Sequence, residues 1–252
     1  MNLRLKNKKV FITGSSQGIG LEIAKFFVKE ECKVVINSRK GKKFKNIKKK
    51  IKNLDYLAGD VTNKKNAIKI AHQFSNKFGD IDILICNVGG GKINRNLSPL
   101  DGDWDQSFKK NFFSATNMIE SFKKSLIKTK GNVICISSIC GIEEIPGAPF
   151  SYSIAKNSLN SYVKHLSKQF GKYGVRINAI APGNIIHQKS VWEKKMKNNS
   201  NKVKKFLETE VALQKFGKPE DIAYLTIFLS SEISNFITGS IVVVDGGQLR
   251  NV

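Results

Sequence analysis

The stretch that decides the fold is Lys9-Val10-Phe11-Ile12-Thr13-Gly14-Ser15-Ser16-Gln17-Gly18-Ile19-Gly20. An apolar, strand-like run leads directly into a glycine-rich turn, and a segment with helical periodicity follows. Glycines allow the backbone to approach a pyrophosphate closely, and the first turn of a helix offers free amide donors and the positive end of the helix dipole. The spacing Gly-x-x-x-Gly-x-Gly, placed between a strand and a helix, therefore predicts a site for a dinucleotide phosphate.

Strand-like and helix-like segments alternate along the rest of the chain. The predicted strands are short, largely apolar runs: Lys9–Thr13, Lys33–Asn37, Leu54–Ala58, Ile81–Cys86, Asn132–Ser137, Arg176–Ala181 and Ile241–Asp245. The predicted helices carry apolar residues at three- and four-residue spacing: Ile19–Glu30, Lys64–Phe78, Trp104–Lys128, Ser151–Lys172 and Pro219–Ser230. This alternation predicts the α/β class, with a doubly wound, Rossmann-type parallel sheet that has helices on both faces.

The chain has 252 residues and no linker rich in Pro, Gly or Ser, so we expect a single domain over residues 1–252. One polar segment, from about 184 to 213, interrupts the alternation between a strand and a helix. Ligands bind outside the carboxyl ends of the strands in such a sheet, which makes this segment a candidate lid.

The composition limits the class of function. The formal net charge is +23, but lysines spread over nearly every predicted helix, which favours a solvated surface over a nucleic-acid interface. No apolar run is long enough to cross a bilayer and no signal pattern is visible, so we expect a cytoplasmic protein without a membrane partner. Four cysteines without a Cys-x-x-Cys pair and three scattered histidines predict no metal site.

Tyr152 and Lys156 stand at positions i and i+4 of a predicted helix, after Ser138 in the chain. Side chains at this spacing are neighbours. A nearby ammonium favours the phenolate and lowers a tyrosine pKa from its usual value of about 10, and a serine hydroxyl beside it would hold a carbonyl oxygen for proton transfer. The alternative is an amphipathic helix in which the two residues merely share a face.

Together these motifs resemble the short-chain dehydrogenase/reductase family over essentially the full chain, most closely its 3-oxoacyl-(acyl-carrier-protein) reductases. Further segments match the family in order: Asp60-Val61, Asn87-Val88-Gly89-Gly90, Asn111, Pro182-Gly183 and Val244-Asp245-Gly246-Gly247. The resemblance implies a catalytic tetrad of Asn111, Ser138, Tyr152 and Lys156. In that tetrad Tyr152 is the general acid or base, Ser138 holds the substrate oxygen, and Asn111 keeps a water in place for a relay to Lys156.

The resemblance also implies a nicotinamide cofactor that supplies the hydride, and a set of residues that bind it. The implied cofactor residues are Gly14, Ser15, Gln17, Gly18, Ile19, Gly20, Ser38, Arg39, Asp60, Val61, Asn87, Gly89, Tyr152, Lys156, Pro182, Gly183 and Ile185.

The end of the second strand indicates which cofactor is used. An acidic residue there would hold the ribose hydroxyls of NAD(H), but this chain has Asn37-Ser38-Arg39. A guanidinium pairs with a 2′-phosphate through two hydrogen bonds, and Ser15 or Ser38 would add hydroxyl donors, so we expect NADP(H). Gln17 departs from this pattern, since many NADP-preferring relatives carry a second basic residue there. The alternative is that Arg39 only opens the basic segment Arg39–Lys52.

Three residues outside the motifs have open roles. His187 stands where relatives often have a threonine that contacts the nicotinamide carboxamide, and it replaces that contact, touches substrate or points into the lid. Phe150 lines the pocket or packs in the core. Trp192 closes over substrate or anchors its loop.

The favoured function is interconversion of a carbonyl and a secondary alcohol, with a small-molecule substrate that is a 3-oxoacyl thioester on a carrier protein or, alternatively, a sugar or nucleotide-sugar of surface-polysaccharide synthesis. A non-catalytic cofactor-binding regulator and a nucleic-acid binder are the competing classes. The resemblance implies a homotetramer or homodimer formed through the two long helices and the last strand.

Overall fold

A computed structural model describes residues 2–41, 44–91 and 103–250. Its strands are β1 (Lys9–Ile12), β2 (Lys33–Ser38), β3 (Leu54–Ala58), β4 (Ile83–Cys86), β5 (Asn132–Ile136), β6 (Arg176–Pro182) and β7 (Ile241–Val244). Its α-helices are α1 (Gly18–Lys29), α2 (Phe44–Lys50), α3 (Lys64–Phe78), α4 (Trp104–Phe108), α5 (Ser114–Thr129), α6 (Phe150–Gly171), α7 (Val191–Asn198), α8 (Ser200–Glu210) and α9 (Pro219–Ser230).

All the strand pairs are parallel, and within the described ranges the strand order is β3-β2-β1-β4-β5-β6-β7. The order reverses direction between β1 and β4, which is where ligands bind in doubly wound sheets. The predicted fold class is confirmed, and each predicted strand lies within two residues of the observed one.

Two apolar layers cover the two faces of this sheet. On one face α3, α5 and α6 pack around Phe11, Phe74 and Phe122, whose ring centroids lie 5.4 to 5.8 Å apart. On the other face α1 and α9 pack on residues that include Val10 and Ile12. Successive residues of β1 point to opposite faces, and both faces are apolar because both are covered.

The predicted helix Trp104–Lys128 is interrupted. A π-helical turn, Lys109–Phe113, separates α4 from α5. Asn111 lies in this turn, and its side-chain amide donates to the carbonyl of Ser107 at 3.0 Å. Single π turns of this kind are frequent at functional sites.

The polar segment 184–213 contains two short helices that the sequence analysis did not predict. Ser190 caps α7, because its hydroxyl accepts the Glu193 backbone amide at 3.0 Å. Trp192 on α7 stacks on Phe206 of α8 at 5.0 Å and contacts Phe216 at 5.1 Å. Trp192 therefore anchors this segment, which is the second of the roles considered for it.

The basic segment after β2 forms α2, in which Ile47 is buried and the lysines of the last turn are exposed. The Phe44 ring stacks on Tyr56 of β3 at 4.9 Å, which holds α2 against the sheet. Lys42 and Lys43 lie outside the described residues. Among the described helices, none combines the length and the apolar character that crossing a bilayer requires.

Candidate active site

The glycine turn between β1 and α1 depends on two glycines with left-handed backbone angles. Gly14 has φ +61° and Gly18 has φ +58°, which glycine adopts without strain. Gly20, the third, is required by crowding: a Cβ there would lie 2.4 Å from Nδ2 of Asn87 and 2.9 Å from Cα of Ser15. The turn therefore needs all three glycines.

Asn87, which follows β4, braces this turn. Its side-chain amide donates to the carbonyls of Thr13 at 3.0 Å and Gly14 at 3.1 Å. Its backbone amide donates to the Thr13 hydroxyl at 2.9 Å. These bonds join the ends of β1 and β4 at the point where the strand order reverses.

The turn fits the phosphates of a dinucleotide. The residue before α1, Gln17, makes no side-chain cap bond to the helix, and no acidic residue lies in the first turn of α1. Free first-turn amides and the helix dipole favour an anion at this position. Ile19 and Gly20 are in that first turn.

At the end of β2 the predicted hydroxyl donors are already engaged. Ser15 is fully buried, and its hydroxyl donates to the Ile12 carbonyl at 2.6 Å while accepting the Asn37 amide at 3.0 Å. The Ser38 hydroxyl donates to the Lys40 carbonyl at 3.0 Å. Arg39 is exposed and makes no ion pair with any described residue. Arg39 and the adjacent, exposed Lys40 therefore both have a positive charge to offer at this strand end, and Arg39 is the one with a guanidinium.

Asp60 and Val61 follow β3 and lie at the carboxyl end of that strand, next to the end of β2. The Asp60 carboxylate accepts the amide and the hydroxyl of Thr62, at 3.0 and 2.8 Å. Val61 is buried, and its carbonyl accepts the side-chain amide of Asn117 from α5 at 3.2 Å.

The structure brings Tyr152 and Ser138 together. Ser138 follows β5, and its hydroxyl lies close enough to the phenol of Tyr152 on α6 to lower the pKa of that phenol. Although Tyr152 keeps some exposed surface, burial of the phenol raises its pKa to about 12, and the Ser138 hydroxyl opposes that rise. The sequence analysis predicted a lowered pKa because of Lys156. In this structure burial dominates, which keeps the phenol a neutral proton donor.

Lys156 is buried, with 2% of its surface exposed, and its ammonium donates to the Ile136 carbonyl at 2.8 Å. Burial lowers its pKa from 10.5 to about 8. The side chain therefore keeps its charge at neutral pH and loses it in the mildly alkaline range.

Asn111 and the glycines after β4 complete the cluster. A Cβ on Gly89 would lie 2.9 Å from the Lys156 ammonium and 3.1 Å from Oδ1 of Asn111, so only glycine fits between them. Oδ1 of Asn111 accepts the Gly90 amide at 2.8 Å. A Cβ on Gly91 would lie 3.2 Å from the Tyr152 ring. The four residues predicted as a tetrad thus line one site.

Two residues at this site were missed by the sequence analysis. The Lys110 ammonium donates to the Gly90 carbonyl at 3.3 Å and further lowers the Lys156 pKa. The half-buried Cys140 hydrogen-bonds to Ser138, and burial raises the pKa of its thiol. Lys110 directly precedes Asn111, and Cys140 follows Ser138 by two residues; proximity to those residues was the available signal.

The segment after β6 closes the site from the other side. Gly183 packs on Asp245: a Cβ added to Gly183 would lie 2.7 Å from Cβ of Asp245. The Gly183 amide donates to the Val244 carbonyl at 3.0 Å. Pro182 ends β6, and the buried Ile185 pairs with Gly217.

The remaining open roles are partly resolved. Phe150 is 54% exposed and packs on Trp104 at 5.6 Å, so it is not a core residue. His187 lies against Gly18 of the glycine turn. No cluster of His, Cys, Asp and Glu suited to a metal ion occurs in the described part of the chain.

Residues 14–248 match a family described as Enoyl-(Acyl carrier protein) reductase. The chain belongs to the short-chain dehydrogenase/reductase family. It is 34% identical over 249 residues to the 3-oxoacyl-[acyl-carrier-protein] reductase FabG of Rickettsia prowazekii, covering 97% of this chain and 98% of the relative. It is 31% identical over 253 residues to the 7alpha-hydroxysteroid dehydrogenase of Bacteroides fragilis, covering 97% and 95%.

A solved member of the short-chain dehydrogenase/reductase family shares the whole architecture. L-sorbose reductase from Gluconobacter frateurii, complexed with NADPH and L-sorbose, superposes with a TM-score of 0.90 at 25% identity over 100% of both chains. Family membership supports an oxidoreductase that uses a nicotinamide cofactor and acts on a carbonyl or an alcohol.

Proposed function

We propose that this protein is an NADP(H)-dependent reductase that converts a carbonyl to a secondary alcohol with Tyr152 as the general acid. The observation that carries the proposal is the convergence of four side chains on the glycines after β4: Lys156 and Asn111 lie at Gly89, and Tyr152, with Ser138 beside it, lies at Gly91. A nicotinamide cofactor bound there supplies the hydride, while the protein supplies position and a proton.

The proposed mechanism uses the two hydroxyls in series. The Ser138 hydroxyl, which lies near the Tyr152 phenol and lowers its pKa, holds the substrate oxygen beside that phenol. With a pKa raised to about 12, Tyr152 carries its proton throughout the neutral range and delivers it as the oxygen gains charge. The Lys156 ammonium is held by the Ile136 carbonyl and places a positive charge at the site.

The choice of NADP(H) rests on Arg39. It is exposed at the end of β2, without a carboxylate neighbour in sequence, and guanidinium forks match phosphate oxygens. The NADPH in the Gluconobacter frateurii enzyme supports the same assignment. In contrast, a 7 alpha-hydroxysteroid dehydrogenase structure contains NADH, so the fold itself permits either cofactor.

For the substrate we propose a 3-oxoacyl thioester, because several relatives at 31 to 34% identity over nearly the full chain are 3-oxoacyl-[acyl-carrier-protein] reductases. The net charge of +23 suits an acidic carrier protein. A keto-sugar is the second candidate, favoured by the structural match to L-sorbose reductase.

The deciding experiment measures NADPH oxidation over a panel of 3-oxoacyl thioesters and keto-sugars, with NADH in parallel and Tyr152→Phe as the control. Ser153→Ala, on the next residue of α6, is the matched variant that should retain activity. Rapid turnover that persists in Tyr152→Phe contradicts the mechanism, and a preference for keto-sugars selects the second substrate class.

The proposal also covers the segment near the site and the domain organisation. Residues 184–213 act as a lid over the site, and the chain folds as one domain.

A homotetramer or homodimer forms through α5, α6 and β7: Phe113 and Ile154 are 44% and 38% exposed, and the residues of β7 at the sheet edge are half-buried. A monomeric mass in solution contradicts the assembly. A cytoplasmic location is in keeping with four free thiols.

A further inference from the structure

His187, in the segment after β6, is a direct neighbour of Gly18, the residue that opens α1. A Cβ built on Gly18 would lie 2.8 Å from Cε1 and 3.0 Å from Nε2 of the imidazole. Gly18 is the first residue of α1, at the turn where the phosphate site is proposed. The imidazole therefore lies at the phosphate end of the cofactor site, far along the chain from the glycines it contacts.

The hydrogen bond of the imidazole fixes which ring nitrogen carries the proton when the ring is neutral. Nδ1 lies 3.0 Å from the Gln188 carbonyl oxygen, which only accepts, so Nδ1 carries a proton in both charge states. Nε2 then has a lone pair when the ring is neutral and an N–H donor when the ring is charged. Protonation thus converts the atom beside Gly18 from an acceptor, which repels phosphate oxygens, into a charged donor.

Glu193 and Lys197, both on α7, are the charged side chains near His187. Glu193 on α7 is the acidic neighbour; the Lys189 backbone amide, with smaller contributions from Lys197 and His187, holds the pKa of its carboxyl below the usual range. The Lys197 ammonium lies 3.6 Å from the other carboxylate oxygen. The glycine turn itself, residues 13–18, contains no titratable side chain. Glu193 therefore stays negative throughout the neutral range.

We propose that His187 is a proton-dependent contact for the cofactor pyrophosphate, so that the protein binds its cofactor more tightly when the imidazole is charged. This inference rests on the proposed cofactor site and adds a regulation to it. Histidine changes charge between about pH 5 and 8, so cofactor affinity falls as the pH rises through the physiological range. A hydroxyl at the same position would donate at every pH in that range.

The first test measures the Kd of NADPH between pH 5.5 and 8.5 at constant ionic strength, for the unaltered protein and for His187→Gln. His72→Gln, at an exposed histidine of α3, is the matched control. The 2′-phosphate of NADPH titrates near pH 6 in every sample, so the ratio of the two Kd values isolates the imidazole. We expect His187→Gln to bind about tenfold more weakly at pH 6 and within about twofold at pH 8.5. A ratio that stays constant with pH overturns the inference.

A second test does not depend on how the variant folds. The chain has three histidines, so the imidazole signals of the unaltered protein are few and can be followed by NMR through a pH titration. A tenfold linkage moves the titration midpoint of His187 upward by about one pH unit when NADPH saturates the protein. A midpoint that NADPH leaves in place overturns the inference.

Failure of this inference differs from failure of the proposed function. If the unaltered protein binds neither NADPH nor NADH at any pH, both are overturned. If NADPH binds and the two pH curves run parallel, the cofactor site stands and only the role of His187 is overturned.

Discussion

Replacing Lys156 with methionine should abolish reduction and make the protein more stable at pH 7. The ammonium is 2% exposed and has no carboxylate within ion-pair distance among the described residues. The ammonium donates a hydrogen bond to the Ile136 carbonyl. Methionine has a similar length and leaves no charge to bury.

The size of the effect follows from the pKa of Lys156. At about 1.4 kcal/mol per pH unit, a pKa lowered from 10.5 to about 8 makes the charged form roughly 3 kcal/mol less favourable in the folded protein than in the unfolded chain. The Ile136 carbonyl, left without its donor, costs about 1 kcal/mol or more. We expect a net gain of about 1–2 kcal/mol in the free energy of unfolding, or about 3–6 °C in Tm.

The gain should shrink as the pH rises, and the sign follows from linkage. Between the folded pKa of about 8 and the unfolded value of 10.5, the unfolded chain binds the proton that folded Lys156 has lost, so the unaltered protein becomes more stable with increasing pH. Between pH 7 and pH 9 the unaltered protein recovers about 1 kcal/mol relative to the variant. Urea unfolding of both proteins at pH 7 and pH 9 measures this difference.

Lys164→Met, at an exposed lysine of the same helix, is the control and should change stability little at either pH. A Lys156→Met variant that is less stable than the unaltered protein at pH 7 would refute the reasoning. So would a stability gain that is equal at the two pH values.

Three further outcomes follow from the site. Arg39→Asp should lower kcat/KM for NADPH by about 10- to 100-fold, the loss of a charge-assisted phosphate bond, and raise the NADH value; unchanged cofactor kinetics would contradict the assignment. Gly20→Ala should cost about 1–3 kcal/mol of stability, since the new Cβ would lie 2.4 Å from Asn87, whereas Gly171→Ala has nothing within 4 Å and should be neutral or stabilising in thermal unfolding. With NADPH at saturating concentration at every pH, the rate of reduction should be level from pH 6 to 7.5 and fall above about pH 8, where Lys156 loses its proton; a rate that keeps rising to pH 9.5 would exclude a charged Lys156.

Much of the fold was predictable because its signals are local. Buried parallel strands such as β5 are apolar on both faces, and α3 has helical periodicity from Lys64 to Phe78, so both follow from short stretches of sequence. The clustering of Ser138, Tyr152 and Lys156 also follows, because two lie on one helix and the third ends a strand at the same sheet edge. The resemblance to a known family supplied Asn111.

What escaped prediction depends on contacts between distant segments. The contact between His187 and Gly18 arises only when the segment after β6 folds over the glycine turn. The helices of the segment 184–213 have few buried residues, and their aromatic contacts through Trp192 join separate segments. The raised pKa of Tyr152 reflects burial, which the Tyr152–Lys156 spacing does not report.

The bonds from Asn87 to the Thr13 and Gly14 carbonyls also have a consequence for protein engineering. These bonds fix the shape of the glycine turn before any cofactor binds. A cofactor that binds there therefore orders little backbone and loses little affinity to entropy. The side-chain amide of Asn87 also fills the space above Gly20, so a substitution at either position affects which residues the other can accept. A larger residue at position 20 becomes acceptable only with a smaller one at position 87. Such a double variant would need another hydrogen-bond donor for the Thr13 and Gly14 carbonyls.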